Sequence, residues 1–208
     1  MLKTAIRRLR QHFRKQRYRK IEQTMFATHP DGFVMDLGGG PASFFASLYP
    51  QQEQIVLIEI NEQLAQKAKR DKPKLNVIVA DGEALPLANR AMALTICNSV
   101  IEHVENPREL AVEIQRTSRS YFLQTPNGRF PLETHAYIGI PFYNQLKWPL
   151  LQKTICRLLG ANYDYIKSVN YLSPAQLQQF FPKAIHTFEP FLGQKKSFYI
   201  YENHRDTA

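Results

Sequence analysis

Short apolar runs alternate with helix-length amphipathic stretches through the first two thirds of this chain. Phe33 to Leu37, Gln54 to Glu59, Asn76 to Ala80, Leu94 to Asn98 and Tyr121 to Gln124 read as strands. They lack a clean period of two, as strands covered on both faces do. Between them the apolar positions recur at helical spacing. One helix is expected from about Ala42 to Leu48. A second follows Asn61 as its cap, with Leu64, Ala65 and Ala68 on the inner face. A third has Pro107 near its start and carries Leu110, Ala111 and Ile114. Buried strands alternating with helices predict an α/β fold, a doubly wound and mostly parallel sheet.

The pattern changes at both ends. Leu2, Ile6, Leu9 and Phe13 form a stripe between arginines, and Ile21 and Met25 continue it, so residues 2–25 read as an amphipathic helix. His29-Pro30-Asp31-Gly32 is turn chemistry. After Pro126 the strand–helix alternation stops. Residues 126–172 are rich in aromatics and prolines, with one helical stretch near Asn144–Leu159. Pro174 opens a helix over Ala175–Phe181, and Ile185–Leu192 and Ser197–Glu202, joined by Gly193-Gln194, read as a C-terminal antiparallel hairpin. The expected organisation is a basic helical extension over residues 1–26 and one domain over 27–208, with an aromatic-rich insertion at about 126–172.

Composition narrows the class. A chain of 208 residues that is 44% hydrophobic can bury a sizeable core. No apolar run approaches the ~20 residues of a membrane span. Cys97 and Cys156 stand in no metal or redox spacing, so no metal is expected and a reducing, cytoplasmic location is. The net charge of +9 is uneven: residues 1–22 hold nine bases and one acid, the remainder 18 bases and 17 acids. The high charge therefore belongs to the extension. It reads as a solvated helix packing one stripe on the domain, as an interfacial helix peripheral to an anionic membrane, or as an RNA-facing helix. It has no apolar h-region of a secretory signal.

Candidate chemistry gathers at the strand ends. Val34-Met35-Asp36-Leu37 runs into Gly38-Gly39-Gly40, a turn that lets a ligand approach the backbone closely. Asp36 lies within the first strand, Glu59 ends the second and Asp81 follows the third, and in a parallel sheet these ends share one edge. Glu59 stands 21 residues after Gly38, about where a ribose-binding acid follows a nucleotide-binding glycine turn.

These residues resemble the class I S-adenosylmethionine-dependent methyltransferases, over about residues 32–126. Asp36-Leu37-Gly38-Gly39-Gly40-Pro41-Ala42 is similar to that family's first motif, D-L-G-C-G-x-G. Ile58-Glu59-Ile60-Asn61 resembles its second-strand motif, and Ala80-Asp81-Gly82-Glu83-Ala84-Leu85-Pro86 its D-A-E-x-L-P segment. Asn98-Ser99-Val100-Ile101-Glu102-His103 resembles the fourth-strand segment of the small-molecule subgroup that includes ubiquinone- and menaquinone-biosynthesis-like enzymes. Gln124 to His135 is similar to a narrower bacterial subgroup with T-P-N-x-x-F-P-x-E-x-H. Ala42 departs from the last glycine of the first motif, and Met92-Ala93 from the usual Phe-Asp.

The resemblance implies a Rossmann-like fold and S-adenosylmethionine as cofactor. It places Asp36, Gly38, Gly39, Gly40, Ala42, Glu59, Ile60, Asp81, Gly82, Glu83, Asn98 and Ser99 around that cofactor. It places Glu102, Asn127, Phe130, Glu133 and Tyr137 toward the acceptor, with His103 and His135 as candidate bases. The expected acceptor is a small molecule or a lipid-linked one. Three alternatives stand beside this reading. One is an RNA methyltransferase anchored by the basic helix, and another is a non-catalytic module that kept the fold. The third, a nicotinamide-dependent enzyme, would prefer glycine at Ser43 and leaves Asp81 and Glu102-His103 unexplained.

Overall fold

Among the described residues, seven strands form one sheet in the order β3-β2-β1-β4-β5-β7-β6. The computed structural model describes residues 2–26, 30–132 and 140–203, with the side chains of 2–7, 9 and 10 left aside. The strands are β1 (Val34–Leu37), β2 (Ile55–Glu59), β3 (Asn76–Val79), β4 (Met92–Asn98), β5 (Ser118–Pro126), β6 (Ile185–Phe191) and β7 (Gln194–Glu202). The first five run parallel, while β7 lies antiparallel to both β5 and β6. This is a Rossmann-like sheet closed by an antiparallel pair, as the sequence pattern predicts.

Helices cover both faces. They are α1 (Leu2–Met25), α2 (Phe44–Leu48), α3 (Glu62–Asp71), α4 (Pro107–Thr117), α5 (Pro149–Leu159), α6 (Tyr163–Ser168) and α7 (Pro174–Phe180). Side chains alternate across each strand and divide the core in two. Met35, Leu37, Cys97 and Leu123 pack against Leu110 and Ile114 of α4 and Leu177 of α7. Val34, Leu94, Ile96 and Phe122 pack against Ile21 and Met25 of α1 and Phe44 and Phe45 of α2. The N-terminal helix is thus a layer of the sandwich: Phe13, Ile21 and Met25 are all buried.

Several expected boundaries move, each for a local reason. Strand β5 extends to Ser118 and Pro126, because Ser118 pairs with Met92 and Pro126 with Ser197. The helix expected from Asn144 starts at Pro149 instead, with a single 3-10 turn at Tyr143–Gln145 before it. Trp148, preceding a proline, is held extended. Leu64, expected inside, is exposed, since α3 rests on the sheet through Ala65 and Ala68. Helix α6 was not expected; Asn162 caps it by accepting from Tyr165 N–H.

Candidate active site

The parallel register brings the C-terminal ends of β1, β2 and β4 to one edge, with Leu37 beside both Ile58 and Cys97. Here β1 breaks into the glycine turn. Gly38 N–H donates to the Ile58 carbonyl at 2.8 Å and stays anchored to β2. Gly38 and Gly40 take φ of +68° and +58°, conformations that favour glycine. At Gly39 the constraint is space: a Cβ would sit 2.5 Å from Asp36 Oδ2. A Cβ at Gly40 would sit 3.3 Å from Glu59 Oε2. The turn therefore lies between two carboxylates, with its backbone bare.

Asp36 is buried, and burial pushes its carboxyl up to about 6, opposed by a hydrogen bond from Ser43 and by the charge of Lys72. Ser43 Oγ donates to Asp36 Oδ2 and also accepts from Ala46 N–H, so one hydroxyl caps α2 and holds the acid. Lys72 Nζ donates to the Pro41 carbonyl at 2.7 Å and pins the far side of the turn. Ala42 is exposed and has no positive φ, so its methyl brings no backbone strain. Glu59 is nearly buried, and its Oε1 accepts from Asn61 N–H at 3.0 Å. Ile60 beside it is 67% exposed, an apolar surface facing away from the core.

Asp81 Oδ1 accepts from Glu83 N–H, which shapes the turn after β3. Gly82 is dictated by contact, since a Cβ there would meet Leu110 Cδ1 at 2.7 Å. Glu83 Oε1 accepts from the N–H groups of Glu105 and Asn106, tying this turn to the start of α4. At the end of β4, Ser99 takes φ of +55° and donates through Oγ to Gln124 Oε1. Glu102 is buried and accepts from Thr125 Oγ1 at 2.9 Å, while its carbonyl accepts from Asn170 N–H. His103 is exposed and stacks on Tyr165 of α6, ring centroids 5.8 Å apart. Asn127 ties the loop after β5 to β7 by donating to the Lys195 carbonyl. Phe130 is buried beside Phe191. Glu133, His135 and Tyr137 lie outside the described residues.

A buried ionic cluster, not foreseen from the sequence, joins α1 to this edge. Arg17 donates through Nε and Nη2 to the two oxygens of Glu189, 3.0 Å each, and through Nη1 to Asn98 Oδ1 at 3.3 Å. Glu189 accepts further from Lys196, Ser197 and Tyr199. Burial alone would raise the Glu189 carboxyl, but Arg17 and Lys196 overcome it and hold it down at about 2. Burial and the Arg17 charge push the Lys196 ammonium down to about 8, against the pull of Glu189. Lys196 also lies 3.9 Å from the centroid of Phe13. Nothing distinguishes Arg17 from the other arginines of its helix in sequence. A usable signal was Glu189, an acid set among aromatics in a strand.

Comparison with known proteins bears on the domain and the fold. Residues 35–121 match the methyltransferase domain family. Over 114 residues the chain is 29% identical to an uncharacterized methyltransferase of Mycobacteroides abscessus, covering 52% of this chain and 41% of that protein. The chain thus spans less than half the length of this relative. Among solved structures, geranyl diphosphate C-methyltransferase from Streptomyces coelicolor superposes with a TM-score of 0.60 at 11% identity, covering 91% of this chain and 77% of that one. Magnesium protoporphyrin IX methyltransferase from Synechocystis superposes with a TM-score of 0.58 at 13% identity, covering 97% and 86%. Residues 35–121 are accordingly similar to a methyltransferase domain, in a chain with the Rossmann-like fold of these two methyltransferase structures.

Proposed function

We propose that this chain transfers a methyl group from S-adenosylmethionine to a small-molecule or lipid-linked acceptor. The observation that carries the reading is the bare glycine turn between the Asp36 and Glu59 carboxylates, where a side chain at Gly39 would collide with Asp36. The fit to the cofactor is chemical as well as spatial. Open backbone at Gly38–Gly40 suits the amino-acid end, and the Glu59 carboxylate can accept both ribose hydroxyls. Exposed Ile60 offers an apolar surface to the adenine, and Asp81 an acceptor for its amino group. Ala42, Gly82, Glu83, Asn98 and Ser99 shape the surrounding turns.

When bound, the cofactor supplies a methyl group already activated on a sulfonium. The task left to the protein is to align an acceptor and exclude water. Glu102, fastened by Thr125, stiffens the loop that carries His103. For an oxygen or ring-nitrogen acceptor, an imidazole nitrogen of His103 or His135 would take the proton. Asn127 and Phe130 are assigned to the acceptor side, as are Glu133 and Tyr137, which lie outside the described residues.

A cytoplasmic protein is proposed. Among the described residues no helix is long and apolar enough to cross a membrane. Arg8, Arg14, Lys15 and Arg19 are exposed on α1, which supports a peripheral contact with an anionic membrane surface or with RNA. Conversion of S-adenosylmethionine to S-adenosylhomocysteine, screened against lipid, glycan and metabolite extracts, tests the function. Turnover that depends on one extract and disappears in Glu59→Ala is expected. Cofactor-dependent turnover with bulk RNA alone would contradict the acceptor class.

A further inference from the structure

Beyond β5 the chain folds around a cavity of about 440 Å³. Its walls include Asn127 and Arg129 of the loop after β5, Gln152 of α5, Ile166 and Lys167 of α6, and Tyr171. That volume suits a small ligand or the polar end of a larger one.

Gln152 is the informative wall residue. It is 2% exposed and lines the cavity. Its Nε2 donates to the Tyr143 carbonyl at 3.1 Å, while its Oε1 has no hydrogen-bond partner among the described residues. Turning the amide over would set two oxygens against each other, so the orientation is fixed by the Tyr143 bond. A wall residue of the cavity therefore carries a buried acceptor that lacks a donor among the described residues. A bound hydroxyl or N–H would supply it.

Charge gives the second feature of the ligand. Among the described residues of the wall, the charged ones are Arg129 and Lys167, and both are basic. Leu172 and Ile166 add apolar surface. The loop is built for close approach: a Cβ at Gly128 would sit 2.6 Å from the ring of Tyr171.

Position connects the cavity with the sheet edge. Asn127 follows β5 directly. Asn170, next to Tyr171, donates its N–H to the Glu102 carbonyl at 2.8 Å. Tyr165 of α6 stacks on His103. The cavity thus opens beside the residues assigned to the acceptor side.

We propose that this cavity binds the anionic end of the methyl acceptor, a phosphate-bearing group with an adjacent hydroxyl. Arg129 and Lys167 take the anion, and Gln152 Oε1 accepts from the hydroxyl. The word acceptor rests on the methyltransferase reading; the anion site does not.

The test uses the full chain and titrates glycerol 3-phosphate, inorganic phosphate and glycerol by calorimetry. A parallel arm uses phosphatidylcholine nanodiscs with and without phosphatidylglycerol, which separates a lipid headgroup from a soluble ligand. Glycerol 3-phosphate, or the phosphatidylglycerol headgroup, is expected to bind saturably. Arg129→Gln with Lys167→Gln should weaken that binding at least about tenfold, as loss of charge-assisted hydrogen bonds does. Gln152→Met should weaken glycerol 3-phosphate but leave inorganic phosphate unchanged. Both charge substitutions are at exposed side chains, so the test does not depend on the buried variant folding. No saturable binding in either arm up to about 10 mM, or equal affinity in the Arg129/Lys167 variant, would overturn the proposal. S-adenosylmethionine titrated into the same samples separates the two readings. Its binding without the phosphate ligand sinks the cavity assignment alone. The converse sinks the methyltransferase reading and leaves the anion site standing.

Discussion

At the residue scale, Gly39 and Ala42 make opposite demands although both belong to the turn after β1. A methyl at Gly39 meets the buried Asp36 carboxylate, so Gly39→Ala must displace Asp36 and break its bond with Ser43. The expected result is a destabilisation of about 1–3 kcal/mol, read by urea denaturation, together with lost cofactor binding. Ala42 is exposed and free of backbone strain, so Ala42→Gly should change stability by less than about 0.5 kcal/mol. The departure from the family's motif at Ala42 is therefore tolerated by geometry. That answer was not legible in the sequence, because it depends on φ.

Asp36 also makes a pH prediction. Its carboxyl titrates at about 6 in the fold, above the ordinary value of 3.8, because burial disfavours the charge. A raised acid contributes stability below its unfolded pKa and loses that contribution as pH rises through the folded one. Melting temperatures of the ligand-free protein should therefore fall between about pH 4 and pH 7 relative to Asp36→Asn. Parallel curves for the two proteins over that range would remove Asp36 as the cause.

At the scale of elements, the contact between α1 and the β6–β7 hairpin stands out from ordinary surface pairing. The Lys67–Asp71 bridge on α3 is roughly half exposed at both side chains, and such pairs contribute little. Arg17 and Glu189 are 13% and 2% exposed, with bidentate geometry. Removing one partner of a buried pair leaves the other charge uncompensated. Glu189→Gln is expected to cost about 3–5 kcal/mol at pH 7, since Arg17 and Lys196 would then face each other without their anion. Glu189 is held below its unfolded value, so its contribution is present above about pH 4.5 and lost as pH falls through about 2. Urea melts of the wild type and Glu189→Gln should converge below that pH. A constant difference down to pH 2 would contradict the ionic account.

The elements also show what the pattern could carry. Strands β1, β2, β4 and most of β5 were legible because burial on both faces leaves unbroken apolar runs, and β3, at the sheet edge and partly exposed, because Val77-Ile78-Val79 is apolar all the same. The stripe through Phe13, Ile21 and Met25 was legible because helical periodicity survives between arginines. Helix α6 was not, since Tyr163–Ser168 is too short to show a period. The inward place of Ala65 and Ala68 was legible from their spacing, whereas Leu64, expected beside them, is exposed because α3 rests on the sheet through the two alanines. Arg17 and Glu189 are 172 positions apart, and no local signal pairs them.

At the scale of the whole molecule, the uneven charge now has two parts. Arg17 is an internal group that ties α1 to the sheet edge at Asn98 and Glu189. Arg8, Arg14, Lys15 and Arg19 remain an exposed basic face. Replacing those four by Gln should abolish any binding to anionic vesicles while leaving the melting temperature nearly unchanged. A large drop in melting temperature would show that they too serve the fold.

The central claim is that the turn between Asp36 and Glu59 holds S-adenosylmethionine. Calorimetric titration of S-adenosylmethionine into the wild type and into Glu59→Ala tests it directly. The wild type should bind with one site per chain. The Glu59→Ala protein should retain its fold and bind at least about tenfold more weakly, for loss of the charge-assisted bonds to the ribose. No heat of binding in the wild type at millimolar cofactor, or equal affinity in the two proteins, would contradict the account.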